Sequence, residues 1–302
     1  MRNAPAREIV EDASDFLIRR AIKKGAASAD VLYSFGSGNS LSLRDGFPEK
    51  NSSGTSLGIG LRTVDRDGRQ GVAHVNSLDA PHLEEIVEWS LKNCTFAEPD
   101  PFIRLSEESL EEMPPLELED SNITELTHEK RMAACTEMWQ IARDADPRVI
   151  SVRSASWGDG GGEVYYRSSS GVSGWYSGAS AGCSVSVILR EGEIMEMGGA
   201  GDDSRILSCL SPSEVSLQAV KRAALVIGGS PLPTGRYDLV IDGESAASLI
   251  DVIGELFLAS NIHKSRSFLK GMLGRQAASP ALSLVDDGIL KKGLASAPFD
   301  GE

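Results

Sequence analysis

The first 230 residues switch between a helical and an extended pattern of apolar positions, and they do so twice in the same order. Residues 6–24 place Ile9, Ala13, Phe16, Leu17 and Ala21 three or four apart, the spacing of an apolar helix stripe. Gly25 is placed to end that helix. Extended runs follow at 30–35, 40–44, 56–65 and 70–75. The last two are joined by Asp65-Arg66-Asp67-Gly68, a hairpin turn. A second helix is expected after Asp79 and Pro81, with Leu83, Ile86, Val87, Ser90, Leu91 and Cys94 on one face.

The second copy predicts a helix over 127–144, with Met132, Cys135, Met138, Trp139 and Ala142 inward. Strands are expected at 149–157, 163–168, 184–190 and 194–198, with Glu191-Gly192 as a tight turn. Ser211-Pro212-Ser213-Glu214 then combines a serine cap, a first-turn proline and a capping-box glutamate. Leu217, Val220, Ala224 and Ile227 form the stripe of the helix it starts, and Gly228-Gly229 end it. The pattern predicts an α+β protein: duplicated helix–antiparallel sheet–helix units, each sheet covered on one face, followed by the start of a mixed, strand-rich C-terminal domain. The boundaries expected are 1–122 for the first unit with an acidic linker, 123–230 for the second, and 231–302 for the beginning of the C-terminal domain.

The linker matters because residues 107–129 carry nine carboxylates and no Lys or Arg. With four prolines across 96–122, it reads as a solvated connector, too acidic to be buried. The formal net charge of −14 argues against nucleic acid as a partner, since that affinity comes largely from cations neutralising phosphates. No apolar run is long enough to cross a membrane, and the N-terminus lacks the apolar core of a signal peptide. Cys94, Cys135, Cys183 and Cys209 form no paired spacing and read as buried free thiols of a reducing compartment, so a cytoplasmic location is expected.

Residues 233–302 are the most specific stretch. A strand at 237–241 runs into a helix starting near Glu244; a basic, serine-rich turn follows (Lys264, Ser265, Arg266, Ser267, Phe268, Leu269), then Leu273-Gly274 and another strand to Asp286-Asp287. This order of pieces resembles the TldD/PmbA family, the proteins once called modulators of DNA gyrase. Ser56-Leu57-Gly58-Ile59-Gly60-Leu61-Arg62 with Gly68-Arg69-Gln70-Gly71 resembles the family's N-terminal sheet signature, so the likeness covers most of the chain. The resemblance implies a zinc protease subunit paired with a sister that lacks the zinc site. In the zinc-bearing sister, the strand-to-helix turn carries His-Glu-x-x-x-His. The matching residues here are Gly243, Glu244 and Ser248. One carboxylate cannot replace two imidazoles in a zinc cage. The chain therefore resembles the PmbA/TldE sister, and zinc is expected only in a TldD-like partner. The resemblance also implies further sequence beyond Glu302, so the end there is expected to be a truncation, a fragment or a trimmed product, with Leu249, Ile253, Phe257 and Leu258 left exposed.

Other candidates are weaker. His128-Glu129 has Met132 and Ala133 where further ligands would stand, and reads as a solvated helix face. Gly178-Ala179-Ser180-Ala181-Gly182 matches G-x-S-x-G, but an alternating strand follows it where a nucleophile elbow needs a helix. The runs at 158–162 and 198–201 read as glycine loops without a phosphate-binding context. Lys264, Arg266 and Lys270 with Phe268 gather the chain's positive charge. They read either as a site for a peptide carboxylate or an acidic partner, or as a solvated helix end. Glu244 is either the relic of a general base or a first-turn acid that complements the helix dipole. No residue of this chain is expected to be catalytic. The functional expectation is a non-catalytic subunit of a TldD/TldE-like protease, paired with a TldD-like zinc subunit or with itself and holding unfolded peptide. The alternative is a self-associating peptide-binding or regulatory protein.

Overall fold

A computed structural model describes residues 4–105, 107 and 113–299. The chain divides into two compact units, one of 4–229 with 287–299 and one of 230–286. The first unit opens with α1 (Arg7–Lys23), then β1 (Ser28–Arg44), β2 (Phe47–Val64), β3 (Gln70–Val75) and α2 (Ala80–Cys94). After a one-turn helix, α3 (Ser121–Thr124), the order repeats as α4 (His128–Asp144), β4 (Val149–Ser168), β5 (Ser173–Glu191), β6 (Ile194–Ser204) and α5 (Pro212–Val226). The architecture is α+β, as the alternating periods predict.

The duplication is real, but the two sheets are one. The six strands form a single antiparallel sheet in the order β3-β2-β1-β4-β5-β6. The first strands of the two copies meet, with Asp30 opposite Ser168 and Leu43 opposite Ala155. The strands are also longer than their apolar patterns suggest. The segments expected at 30–35 and 40–44 are one strand, and so are those at 149–157 and 163–168. Gly158–162 are not a loop: Gly158 pairs with Gly182 and Gly162 with Gly178 in mid-strand. Gly178–Gly182 thus lie within β5, and Gly198–Gly201 within β6. Apolar alternation lapses there because small residues on both faces leave nothing to alternate, while the backbone ladder continues.

All four long helices lie on one face of the sheet. Odd-numbered β1 residues point to them, with Val31 and Tyr33 in the cluster under α1 and α2, and Leu41 and Leu43 in the cluster under α4 and α5. The helix stripes are shifted by one position at two places. Ile9 is exposed and Val10 is buried on α1; Leu217 is exposed and Val215, Ala219 and Ala223 are buried on α5. The two outermost strand–helix contacts use the same device. A side chain at Gly71 of β3 would overlap the backbone of Ser90 and Cys94 on α2, and one at Gly198 of β6 would overlap Ala219 and Ala223 on α5. Both helices approach the sheet closely because these residues are glycine.

The connector is partly buried, against expectation. Leu116 and Leu118 pack inward while Glu117 and Glu119 point out, and Ala179 N donates to Leu118 O at 2.9 Å. Glu117 finds cations, too: Lys291 and Lys292 each lie 3.3 Å from its carboxylate. Most of the acidic run between these points and Arg104 falls outside the described residues. Cys94, Cys135 and Cys183 are buried as expected, but Cys209 is exposed.

The second unit holds α6 (Gly243–Gly254), a 3₁₀ turn (Glu255–Phe257) and α7 (Ala259–His263). Neither of its expected strands forms among the described residues: 237–241 and the run to Asp286 are irregular. A strand exists only by pairing, and no ladder is offered to Leu239, Val240 or Ile241, which stay exposed. Leu249, Ile253, Phe257 and Leu258 are exposed as anticipated.

Candidate functional site

The turn expected to carry the zinc-motif positions is well formed. Asp242 caps α6, its carboxylate accepting from Glu244 N at 3.1 Å and Ser245 N at 3.0 Å. Gly243 and Glu244 occupy the first turn, and Ser248 Oγ donates to the Glu244 carbonyl at 3.3 Å. Nothing lies within 4 Å of the place where a Gly243 side chain would begin, so a larger residue would fit there. The donor set is one carboxylate and one hydroxyl, with no imidazole. Zinc takes nitrogen and thiolate ligands or several carboxylates, so these residues do not fit a zinc ion. Among the described residues no three His, Cys, Asp or Glu side chains converge.

The basic cluster forms on a folded-back turn after α7. Ser267 and Leu269 are buried, Ser267 Oγ donating to the Leu256 carbonyl at 2.7 Å. Their neighbours Lys264, Arg266, Phe268 and Lys270 are thereby all turned outward, with Phe268 76% exposed. Lys270 Nζ reaches Ser265 Oγ at 2.7 Å; no ion pair among the described residues engages Lys264, Arg266 or Lys270. An exposed ring amid unpaired cations can receive an acidic or C-terminal group, but it has no enclosing wall.

Sequence reasoning missed the charged groups buried in the sheet. On the helix-free face Asp30, 4% exposed, accepts from Arg62 Nε at 3.0 Å and Nη2 at 2.5 Å and from the Tyr166 hydroxyl at 3.0 Å. Burial first, and then the Asp30 charge, push the Tyr166 phenol up to about 12. These residues line a cleft of about 620 Å³ with Leu32, Val72 and His74. On the helix face Asp159 accepts from Arg131 at 2.5 and 2.8 Å, from Trp157 Nε1 at 3.1 Å and from Asn39 Nδ2 at 3.0 Å. This network ties α4 to the β1–β4 seam. In the other cluster, under α1 and α2, burial and then the charge of Glu163 push the Tyr33 phenol to about 12. Among the described residues Arg205 has no ion pair; it donates to the carbonyls of Leu118, Ala179, Gly293 and Leu294, and burial lowers its pKa. A charged residue within a strand pattern, such as Asp30 or Asp159, was the available signal for two of these networks. Arg205 carries no such mark.

Three family models match the chain: the PmbA/TldA metallopeptidase domain 1 over 29–94, the central domain over 121–225 and the C-terminal domain over 234–302. The chain belongs to the PmbA/TldD metallopeptidase family. Its six-stranded sheet and helices have the fold of solved PmbA/TldD proteins. It is 26% identical to the metalloprotease PmbA of Escherichia coli O157:H7 over 98% of this chain and 66% of the relative. A PmbA homologue of Haemophilus influenzae matches at 25% over 97% of this chain and 65% of its own length. The chain thus spans about two thirds of the curated relatives it matches. Among solved structures, a proposed modulator of DNA gyrase from Bacteroides thetaiotaomicron superposes with a TM-score of 0.87 at 24% identity, covering 96% of this chain and 67% of that one. TldE of Thermococcus kodakarensis gives 0.72 at 18% identity, covering 86% and 58%.

Proposed function

We propose that this chain is a non-catalytic, PmbA/TldE-type subunit of a cytoplasmic TldD/TldE-like metalloprotease that processes or degrades peptides. The observation that carries this reading is the α6 turn, where Gly243, Glu244 and Ser248 offer a single carboxylate and no imidazole. A TldD-like subunit would supply zinc and the activated water, and this chain would hold unfolded peptide. The exposed Lys264, Arg266, Phe268 and Lys270 suit an acidic partner surface or a peptide carboxylate, because arginine pairs bidentately with carboxylates. No helix among the described residues is long and apolar enough to cross a membrane.

The test is co-expression with a sister bearing His-Glu-x-x-x-His. The expected result is a stable complex that cleaves peptide, while the chain purified alone holds no stoichiometric zinc and cleaves nothing. One tightly held zinc per isolated chain overturns the assignment. Reversing charge at Arg266 and Lys270 should weaken the complex and change the stability by no more than about 0.5 kcal/mol, the range of exposed substitutions. Normal assembly of that double variant makes the cluster a solvated helix end.

The second reading is a self-associating peptide-binding or regulatory protein without a protease partner. It is favoured by the exposed apolar face of α6, where Leu249 is 49% and Val252 71% exposed. Failure to capture the zinc-bearing sister, with self-association intact, would select it.

A further inference from the structure

The two copies of the sheet leave the same edge unpaired and treat it differently. In the second copy, β6 pairs with β5 only over 181–191, leaving 173–180 with a free edge. The chain covers that edge itself. Leu118 O accepts from Ala179 N at 2.9 Å, Arg205 bonds the carbonyls of both residues, and the Phe299 ring lies 5.2 Å from Tyr176. The covering segment turns Leu116 and Leu118 in and Glu117 and Glu119 out, and it is kinked at Glu117, whose φ is 55°. In the first copy, β3 pairs with β2 only over 59–64. Residues 47–56 are all exposed, and no backbone hydrogen bond beyond the β1 ladder reaches 48–56 among the described residues. Pro48, Glu49 and Lys50 guard the start of this edge, but 51–56, Asn-Ser-Ser-Gly-Thr-Ser, carries neither charge nor proline.

The open edge runs into a cleft. Where β3 ends at Val75, the chain turns away through Asn76 to Asp79. It leaves about 690 Å³ lined by Thr55, Ser56, Leu57, Phe35, Ile9 and Leu78, among others. An edge that supplies main-chain bonds and a pocket that takes a side chain are the two parts of strand-addition recognition.

We propose that residues 48–56 of β2 form a strand-addition site for an extended peptide. Its leading apolar side chain enters the cleft at Phe35, Leu57 and Leu78. Antiparallel pairing, which every neighbour in this sheet uses, puts the peptide's amino end at the cleft. Three observations choose a peptide over a second copy of the chain. The protein itself seats a length of its own chain on the equivalent edge of β5, through the Ala179 N–H and the Leu118 carbonyl. The open edge is about 30 Å long and one strand deep, so edge-to-edge contact buries on the order of 600 Å², short of the ~1,200–2,000 Å² of stable protein interfaces. Two copies would also each bring a net charge of −14. Small side chains along 51–56 leave the middle of the peptide unconstrained, so a neutral or basic peptide of varied sequence is accepted. This deepens the peptide-holding role proposed above but needs no zinc-bearing partner.

The experiment uses the chain alone and a fluorescein-labelled decapeptide with leucine near its amino end, alternating threonine and valine after it, and a lysine at each terminus. Fluorescence anisotropy should show saturable binding. Two isomers of the peptide, N-methylated at alternate amides on one edge or the other, should differ: one binds and one does not. Of Ser52→Pro and Ser53→Pro, the variant whose N–H faces outward should keep its melting temperature and bind at least about tenfold more weakly, the scale of losing one or two main-chain hydrogen bonds. Ile9→Glu, at a position 54% exposed, should weaken the leucine peptide and not a glycine-substituted one. The proposal is overturned by no binding, by binding indifferent to N-methylation and to both proline variants, or by dimerisation of the chain that the same proline abolishes. Loss of the zinc-bearing sister's complex tests the other reading and leaves this measurement unaffected.

Discussion

In the first copy of the repeat α2 crosses β3 over Gly71, and in the second α5 crosses β6 over Gly198. Each copy also buries one aspartate in a strand and satisfies it with an arginine and an aromatic donor: Asp30 with Arg62 and Tyr166, Asp159 with Arg131 and Trp157. The copies part company in how much they cover. Asp159 lies under α4 on the helix face, and its arginine side chain is 9% exposed; Asp30 lies on the helix-free face, and its arginine is 24% exposed. The second copy has its middle strand's edge sealed by the connector, and the first copy does not. Equivalent parts built twice thus give one half whose middle-strand edge is covered and one whose edge stays open; clefts occur in both, of about 690 and 620 Å³ in the first copy and about 470 and 390 Å³ in the second.

Arg131→Met should be the most damaging way to break this comparison. It strands a carboxylate that is 7% exposed, at a cost of about 3–5 kcal/mol. Arg62→Met should cost less, because water reaches Asp30's partner. Denaturant melts of the two variants decide it: equal losses would mean that the two halves are equally closed. Replacing Asp159 by Leu together with Arg131→Met should recover most of the loss, since the penalty is the unpaired charge.

The shared glycine contacts come next. Gly71→Ala and Gly198→Ala should each destabilise by about 1–3 kcal/mol, because the added methyl meets helix backbone that cannot rotate away. Gly54→Ala on the open edge, with nothing within 4 Å, should stay within about 0.5 kcal/mol. A neutral Gly198→Ala beside a damaging Gly71→Ala would show that α5 has room that α2 lacks.

These positions also mark what could be seen from the sequence. The helices were legible because Leu17, Ile86 and Met138 each belong to an apolar stripe at helical spacing, and the cap at Ser211 fixes the start of α5. The repeat was legible because the order of periods recurs. The joining of the sheets was not, because strand pairing between Asp30 and Ser168 is a contact across more than a hundred residues and leaves no local mark. Residues 47–55 were passed over for a related reason. A strand exposed on both faces has no apolar alternation, and Pro48 and Gly54 read as loop. At α6, the residue types that exclude a zinc cage were readable directly, since donor chemistry belongs to single residues. The strand expected at 237–241 failed because apolar content does not supply a pairing partner.

The smallest effect separates how the two copies hold their helices together. Among the described residues ion pairs join α1 to α2: Arg20 Nε lies 2.9 Å from both Glu84 oxygens, Lys24 Nζ lies 2.6 Å from one of them, and Lys24 also meets Glu88. No ion pair among the described residues joins α4 to α5, which share an apolar cluster containing Met138, Val215 and Ala219. Hydrogen bonds from Arg20 and then Lys24 hold the Glu84 carboxyl down to about 2, below its ordinary 4.5. A folded-state value below the unfolded one gives stability that is present in full above pH 4.5 and is lost as the pH falls through 2. Glu84→Gln should therefore be slightly less stable than the parent at pH 7, by a margin kept small by solvent and narrowed by salt. That margin should shrink between pH 4.5 and 2 and vanish below it. Met138→Ala, in the apolar seam of the other copy, should lose about 2–5 kcal/mol by the same amount at both ends of that range, because nothing it touches there titrates. Thermal melts of the two variants and the parent across this pH series measure both. A Glu84→Gln deficit that persists at pH 2 would mean that its packing, and not its charge, joins α1 to α2.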